Sequence, residues 1–325
     1  MRELTFSAAA REGLAEEMER DPAVFVFGEG IGARGGNWGT TTGLYDRFGP
    51  WRLRDTPISE RGFTGMATGA ALVGARPIVD FMFLDFLLDA MGEIVNQMAK
   101  MQYMSDGRVK MPVVLRGCIG VGHSSATHHS GNYYPFLART PGLHVVVPAT
   151  PSDAKGLLKT AIRSDDPVFF LEHKSLLNVK GPVPDEEYLV PLGQAAVARE
   201  GTDATVVALT WMLHRTLEAC DLLARDGVSI EVIDPRSLAP LDMDTILASV
   251  HKTGRLLIVD EDYGPFGVGA EIAAQVMARA FDDLDAPVAR LNGASAPTPY
   301  SPPLEAAVVP NTQTITQAIR DLLAE

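Results

Sequence analysis

One carboxylate in this chain stands where it could move protons. In the run DTPISERGFTGMATGAALVGARPIVDFMFLDF, Asp55 to Phe86, Glu60 comes just before a glycine-rich helix of small residues in apolar surroundings. Burial at such a place would raise its pKa by desolvation, which suits a group that exchanges a proton near neutrality. Ser59 and Glu60 also occupy positions from which a side-chain oxygen can satisfy free backbone donors, so helix capping is the alternative from local pattern. A second motif points elsewhere: Gly30, Gly32 and Gly35 spell G-x-G-x-x-G directly after an apolar strand. A dinucleotide site needs a helix to open within those glycines so that its N-terminus meets the pyrophosphate. Here the chain continues GGNWGTTTG without apolar periodicity. The expectation is therefore a glycine-rich loop near a site, not an NAD fold.

The longer context of Glu60 resembles the beta subunits of thiamine-diphosphate-dependent 2-oxoacid dehydrogenases of the pyruvate, branched-chain and acetoin type. The resemblance runs through DTPISERGF, IVNQMAK (Ile94 to Lys100) and VVVPATPSDAKGLLKTAIRSDDPVFFLEHK (Val145 to Lys174). It continues through IDPRSLAPLDMDTILASVHKTGRLLIVDE (Ile233 to Glu261), GAEIAA (Gly269 to Ala274) and PYSPPLE (Pro299 to Glu305). It implies that Glu60 hydrogen-bonds the aminopyrimidine ring nitrogen of thiamine diphosphate and that Met82 and Phe86 pack on that ring. Without the resemblance, Met82 and Phe86 read as core residues at a strand end and a helix start. In THHSGNYYPFLARTPGL, Thr127 to Leu143, His129 and Ser130 fall on the family's active-site His-Ser pair. This implies that His129 donates to a developing oxyanion and helps pass the acyl group onward; a surface histidine is the plainer reading. The resemblance also implies a structural monovalent cation, usually potassium, held around AIRSDDP by Val113, Ala161, Ile162, Ser164 and Asp166. A helix end satisfied by water is the alternative there.

Two departures from the family pattern bear on function. Gly131, Asn132, Tyr133 and Tyr134 replace the Gln, Ser and Glu that usually follow the His-Ser pair, so with His128 they are expected to reshape the polar wall of the pocket. No Gly-Asp-Gly occurs, and a diphosphate cannot be left unpaired in a low-dielectric cleft. The resemblance then implies an alpha-type partner that holds the diphosphate and Mg2+, an alpha2beta2 heterotetramer, and a lipoyl acyltransferase core as acceptor. The function implied is decarboxylation of a 2-oxoacid with transfer of the acyl group to a lipoyl carrier. A split transketolase-type ketol transferase, an acetoin-cleaving enzyme and a noncatalytic partner-binding scaffold are the alternatives.

The elements that must position these residues alternate along the chain. Helix-like spacing and short apolar runs give the pattern of a parallel sheet covered by helices on both faces. Strands are expected at Ala23 to Glu29, Pro77 to Met82, Pro112 to Gly117, Val145 to Pro148 and Pro167 to Glu172. Helices are expected from Phe6 to Glu19, over Gly62 to Gly74, as one long element from about Phe86 to Tyr103, and from Ser152 to Ser164. NVKGPVPDEEYLVP, Asn178 to Pro191, is proline-rich, acidic and aperiodic, and reads as a linker. Strand and helix then alternate again to a terminal helix at Thr312 to Leu323. The fold class expected is α/β with two domains, joined by a linker at 178–190; the resemblance implies that residues 1–177 are a transketolase-like pyrimidine-binding domain and residues 191–325 a transketolase C-terminal-like domain for dimerisation and docking. At 325 residues the chain exceeds the size one core usually serves. A net charge of −13 argues against a nucleic-acid groove. Two cysteines, Cys118 and Cys220, suit buried thiols in a reducing, cytoplasmic compartment. The N-terminal MRELTFSAAAREGLAEEMERD has neither a signal nor a transit pattern, and no window approaches the roughly 20 apolar residues of a membrane span.

Overall fold

The computed structural model describes all residues from Met1 to Glu325. It divides into two compact units: Met1–Ile119 with Asn132–Leu192, and Gly120–Gly131 with Gly193–Glu325. No helix is long and apolar enough to cross a membrane.

In the first unit six parallel strands lie in the order His144–Val146, Val168–His173, Val114–Ile119, Arg76–Phe83, Val24–Gly28 and Leu53–Asp55. The central strands are apolar almost without a break because helices cover both faces, so alternation of polar and apolar residues disappears. Val168–His173 is buried along its whole length. Helix Phe6–Arg20, capped by Thr5, packs against helix Pro151–Arg163, capped by Thr150 with Pro151 in its first turn. Ion pairs lace these two helices together. Lys155, 1% exposed, reaches Glu12 and Glu16 at 2.6 Å each, and fully buried Lys159 reaches Glu16 at 2.5 Å. Fully buried Glu17 accepts from Arg163 at 2.6 Å and from Arg20 at 2.6 Å.

The second unit has five strands in the order Ala289–Gly293, Leu256–Tyr263, Ala204–Ala208, Ile230–Asp234 and Ala196–Arg199, of which only the last runs antiparallel. Val206 sits between Val232 and Leu257 in register. Helices Trp211–Ala224, Met243–Thr253, Val268–Arg279 and Thr312–Ala324 accompany this sheet.

Two expectations are corrected. The supposed linker contains strand Lys180–Val183, which pairs antiparallel with Arg2–Thr5 in register Glu3 with Pro182. A two-stranded ribbon leaves each strand an open edge, where proline is tolerated. The expected long helix from Phe86 to Tyr103 is three windings in succession: a 3-10 stretch at Leu84–Ala90, a π stretch at Gly92–Met98 and an α stretch at Ala99–Met104. Asp85, Asp89 and Gly92 are weak α formers, and the bonding pattern changes around them.

Candidate active site

In the first unit the candidate residues collect near the carboxyl ends of the parallel strands, where open α/β sheets place their ligand crevices. Glu60 is the first residue of helix Glu60–Leu72 and is only 7% exposed. Ser59 makes no side-chain cap bond to that helix. The helix packs on strand Arg76–Phe83 and on Leu84–Ala90, with the Phe63 and Phe81 rings edge to face at 5.4 Å. One packed assembly therefore carries Glu60, Met82 and Phe86. Phe86 is 38% exposed.

Glu29, directly after strand Val24–Gly28, is a carboxylate strongly changed by the fold. Burial first, then the charges of Glu60 and of Asp80, push its pKa up to about 7. Its Oε1 is buried with no hydrogen-bond partner. Gly28 makes this approach feasible, because a Cβ there would lie 2.1 Å from the Asp80 carbonyl oxygen.

Asp80 shapes the other side. Its Oδ1 accepts the Met82 backbone N–H at 2.8 Å and so supports Met82 at φ 63°, a left-handed conformation uncommon for this residue type. Asn37 donates from Nδ2 to the Met82 sulfur. Burial raises the Asp80 pKa against the opposing pull of Arg116 and the Met82 N–H. Arg116 is fully buried and bidentate to Glu172, at 2.8 and 2.6 Å, with Asp80 at 3.8 Å. Burial works against the Arg116 charge, but Glu172 and Asp80 overcome it and hold the guanidinium cationic, while burial raises the Glu172 carboxyl against the pull of Arg116. Glu29, Asn37, Asp80, Met82, Cys118 and Glu172 line a cavity of about 10 Å³, the space of one water molecule. Cys118 is buried, and its thiol is pushed well above its usual range by desolvation, then by Glu172 and Asp80.

The glycine loop opens no helix among Gly30, Gly32 and Gly35; the next helix is Leu44–Phe48. Its fold is held by Gly32 N–H donating to Asp55 at 2.8 Å and Thr41 Oγ1 donating to the Ile31 carbonyl at 2.7 Å.

His129 lies in the second unit, half-buried at the end of a single 3-10 turn, Thr127–His129. The expected pocket wall needs one correction. Tyr134 is fully buried at the start of helix Tyr134–Ala138 and serves the core, whereas Tyr133 and Asn132 remain half-buried and His128 is exposed. A phenol with no accessible surface cannot present a polar face to a solvent-filled pocket.

Val113, Ala161, Ile162, Ser164 and Asp166 do gather around the end of helix Pro151–Arg163, and a cation already meets two of their carbonyls. Arg76 donates from Nε to the Ile162 carbonyl at 2.9 Å and from Nη2 to the Ser164 carbonyl, and it pairs with Asp165 at 3.2 Å. The Val113 carbonyl accepts from Val168 N–H at 2.9 Å and that of Ala161 from Ser164 N–H at 3.2 Å.

Glu29, Asp80 and Arg116 were not singled out from sequence. A carboxylate directly following an apolar strand, and an acid within the apolar run PIVDFM, were the available signals.

Residues 2–180 match the family model for the transketolase pyrimidine binding domain, and residues 193–315 match that for the transketolase C-terminal domain. The chain is 44% identical over 323 residues to pyruvate dehydrogenase E1 component subunit beta-2, mitochondrial, of Oryza sativa subsp. japonica, covering 98% of this chain and 86% of the relative. It is 44% identical to the pyruvate dehydrogenase E1 component subunit beta of Rickettsia felis, covering 98% of both. It is 43% identical to acetoin:2,6-dichlorophenolindophenol oxidoreductase subunit beta of Cupriavidus necator, covering 98% of this chain and 97% of that one. The fold is similar to a solved split gene transketolase, an inactive beta4 tetramer, with TM-score 0.80 and 22% identity over 99% of this chain and 98% of that chain.

Proposed function

Because the chain belongs to the family of 2-oxoacid dehydrogenase E1 beta subunits, built from two transketolase-like domains, we propose that it is the pyrimidine-holding half of a thiamine-diphosphate enzyme that decarboxylates a 2-oxoacid. The observation that carries this is the buried Glu60 at a helix start beside a second carboxyl, Glu29, raised to about 7. A flat ring with a basic nitrogen suits such a place: a carboxylate at its edge, a fixed thioether from Met82 and a partly exposed Phe86 ring for its faces. When bound, thiamine diphosphate supplies the carbon nucleophile and the electron sink for loss of carbon dioxide.

The chain's own residues supply position and proton control. Glu60 holds a proton at the ring nitrogen, and Glu29, close enough to raise the cost of a second negative charge, carries its proton into the neutral range. Asp80, beside Arg116, fixes the Met82 backbone and with it the thioether. His129 is assigned the role of donor to negative charge on the substrate oxygen and of helper in acyl transfer to a lipoyl carrier. An alpha-type subunit in an alpha2beta2 assembly is assigned the diphosphate and Mg2+, and the location is assigned as cytoplasmic. The carbonyls of Ile162 and Ser164 already receive the Arg76 guanidinium. That set fits an organic cation.

A second reading, cleavage of acetoin, is favoured by the relative of that name at 43% identity over 98% of the chain. Both readings require the same carboxylate. In the assembly with an alpha-type partner, Glu60→Gln should lower turnover of pyruvate or acetoin, followed with a dye electron acceptor, by at least about 10²-fold while assembly and melting temperature are kept. Normal turnover by that variant would remove Glu60 from the mechanism.

A further inference from the structure

The tail motif PYSPPLE and the strand motif IVDE have no part in the chemistry above, yet both end in a carboxylate directed at one loop. Gly120–Gly131 carries His129 and is closed at its base by Gly120 N–H donating to the Gly131 carbonyl at 3.5 Å. Glu261, in strand Leu256–Tyr263, accepts the Val121 N–H at 3.0 Å. Glu305, in helix Pro302–Ala307, accepts the next amide, Gly122 N–H, at 3.1 Å. Both acids are largely removed from solvent, 4% and 9% exposed, so these charge-assisted bonds form away from competing water. A third tie fastens the far side, where Thr127 Oγ1 donates to the Thr298 carbonyl at 3.0 Å.

The loop needs such ties because its backbone is strained. His123, Ser124 and Ala126 all have positive φ, at 60°, 51° and 60°. None is glycine, and residues in that region persist only where their surroundings over-determine them. Within the loop itself, Ser125 Oγ donates to the Gly122 carbonyl at 3.0 Å and His129 N–H to that of Ala126 at 3.3 Å.

We propose that Glu261 and Glu305 are positioning residues, a pair of carboxylates that clamp two consecutive amides and hold the histidine loop in its strained, working shape. The clamp acts on His129 only through the backbone. Its bearing on turnover rests on the role assigned to His129 above, whereas its bearing on the loop does not.

Two readouts separate those claims. In the purified chain, hydrogen–deuterium exchange should find the Val121 and Gly122 amides protected. Glu305→Ala and Glu261→Ala should each speed exchange across residues 118–132 by about tenfold to a hundredfold, with the melting temperature little changed. Glu305→Gln keeps an acceptor oxygen and should restore protection. Free-peptide exchange rates at Val121 and Gly122 in the unmodified chain would overturn the clamp, a result that needs no variant to fold. So would equal exchange in the alanine and glutamine variants. In the assembled enzyme, Glu305→Ala should lower kcat about tenfold with KM for the 2-oxoacid nearly unchanged, and Glu305→Gln should recover it. Faster loop exchange with full turnover would keep the clamp and overturn the role given to His129.

Discussion

At the scale of single residues, Glu29 gives the sharpest expectation. The folded chain keeps its proton up to about pH 7, whereas its ordinary value is 4.5. The folded state thus binds more protons over that interval, and ionising Glu29 subtracts stability as pH rises through it. Glu29→Gln removes the penalty. Its unfolding free energy should exceed that of the parent by about 1–2 kcal/mol near pH 8, after allowance for solvent screening, and by nothing near pH 4. Denaturant titrations at the two pH values measure this, and equal effects at both would show that Glu29 titrates normally. Glu60 was visible in the sequence because its neighbours form a long recognisable run. Glu29 was not, because its pKa comes from burial first and then from Glu60 and Asp80, the latter brought near by strand pairing that no local pattern records. Tyr134 was misplaced for a related reason: a tyrosine in a polar stretch looks solvent-facing until the core that receives it is known.

At the scale of elements, the helix pair Phe6–Arg20 and Pro151–Arg163 carries an unusual load of buried charge. Glu17 is fully buried and accepts from Arg163 and Arg20. Glu17→Ala should lower stability by about 2–4 kcal/mol in urea unfolding, since it takes the carboxylate from Arg20 and leaves Arg163 with Glu187 alone. A loss below half a kcal/mol would mean that water replaces the carboxylate without cost. Periodicity located these two helices to within a residue at each end, because an apolar stripe of one helix must face the stripe of another. It was weaker where pairing is remote. Nothing near Lys180 announces that its strand partner is Arg2–Thr5, and an i, i+3, i+4 pattern reads nearly the same whether the backbone winds as 3-10, α or π.

At the scale of the whole molecule, the expectation concerns what the chain lacks on its own. Calorimetric titration of thiamine diphosphate with magnesium should give no binding heat with this chain alone and a clear isotherm once an alpha-type partner is present. Tight binding to the lone chain would withdraw the split-site reading. The α/β class and the division into two units were legible from alternating elements, yet their boundary is not one point in the sequence, since Gly120–Gly131 groups with Gly193–Glu325. Block recombination would feel this at once. A chimera crossed near residue 192 grafts a relative's versions of Glu261, Thr298 and Glu305 beneath this chain's own loop, so the histidine and its anchors would come from different ancestors. Exchanges meant to alter substrate range would need a second crossover pair, at residues 120 and 131, to transplant the loop together with the scaffold that ties it down.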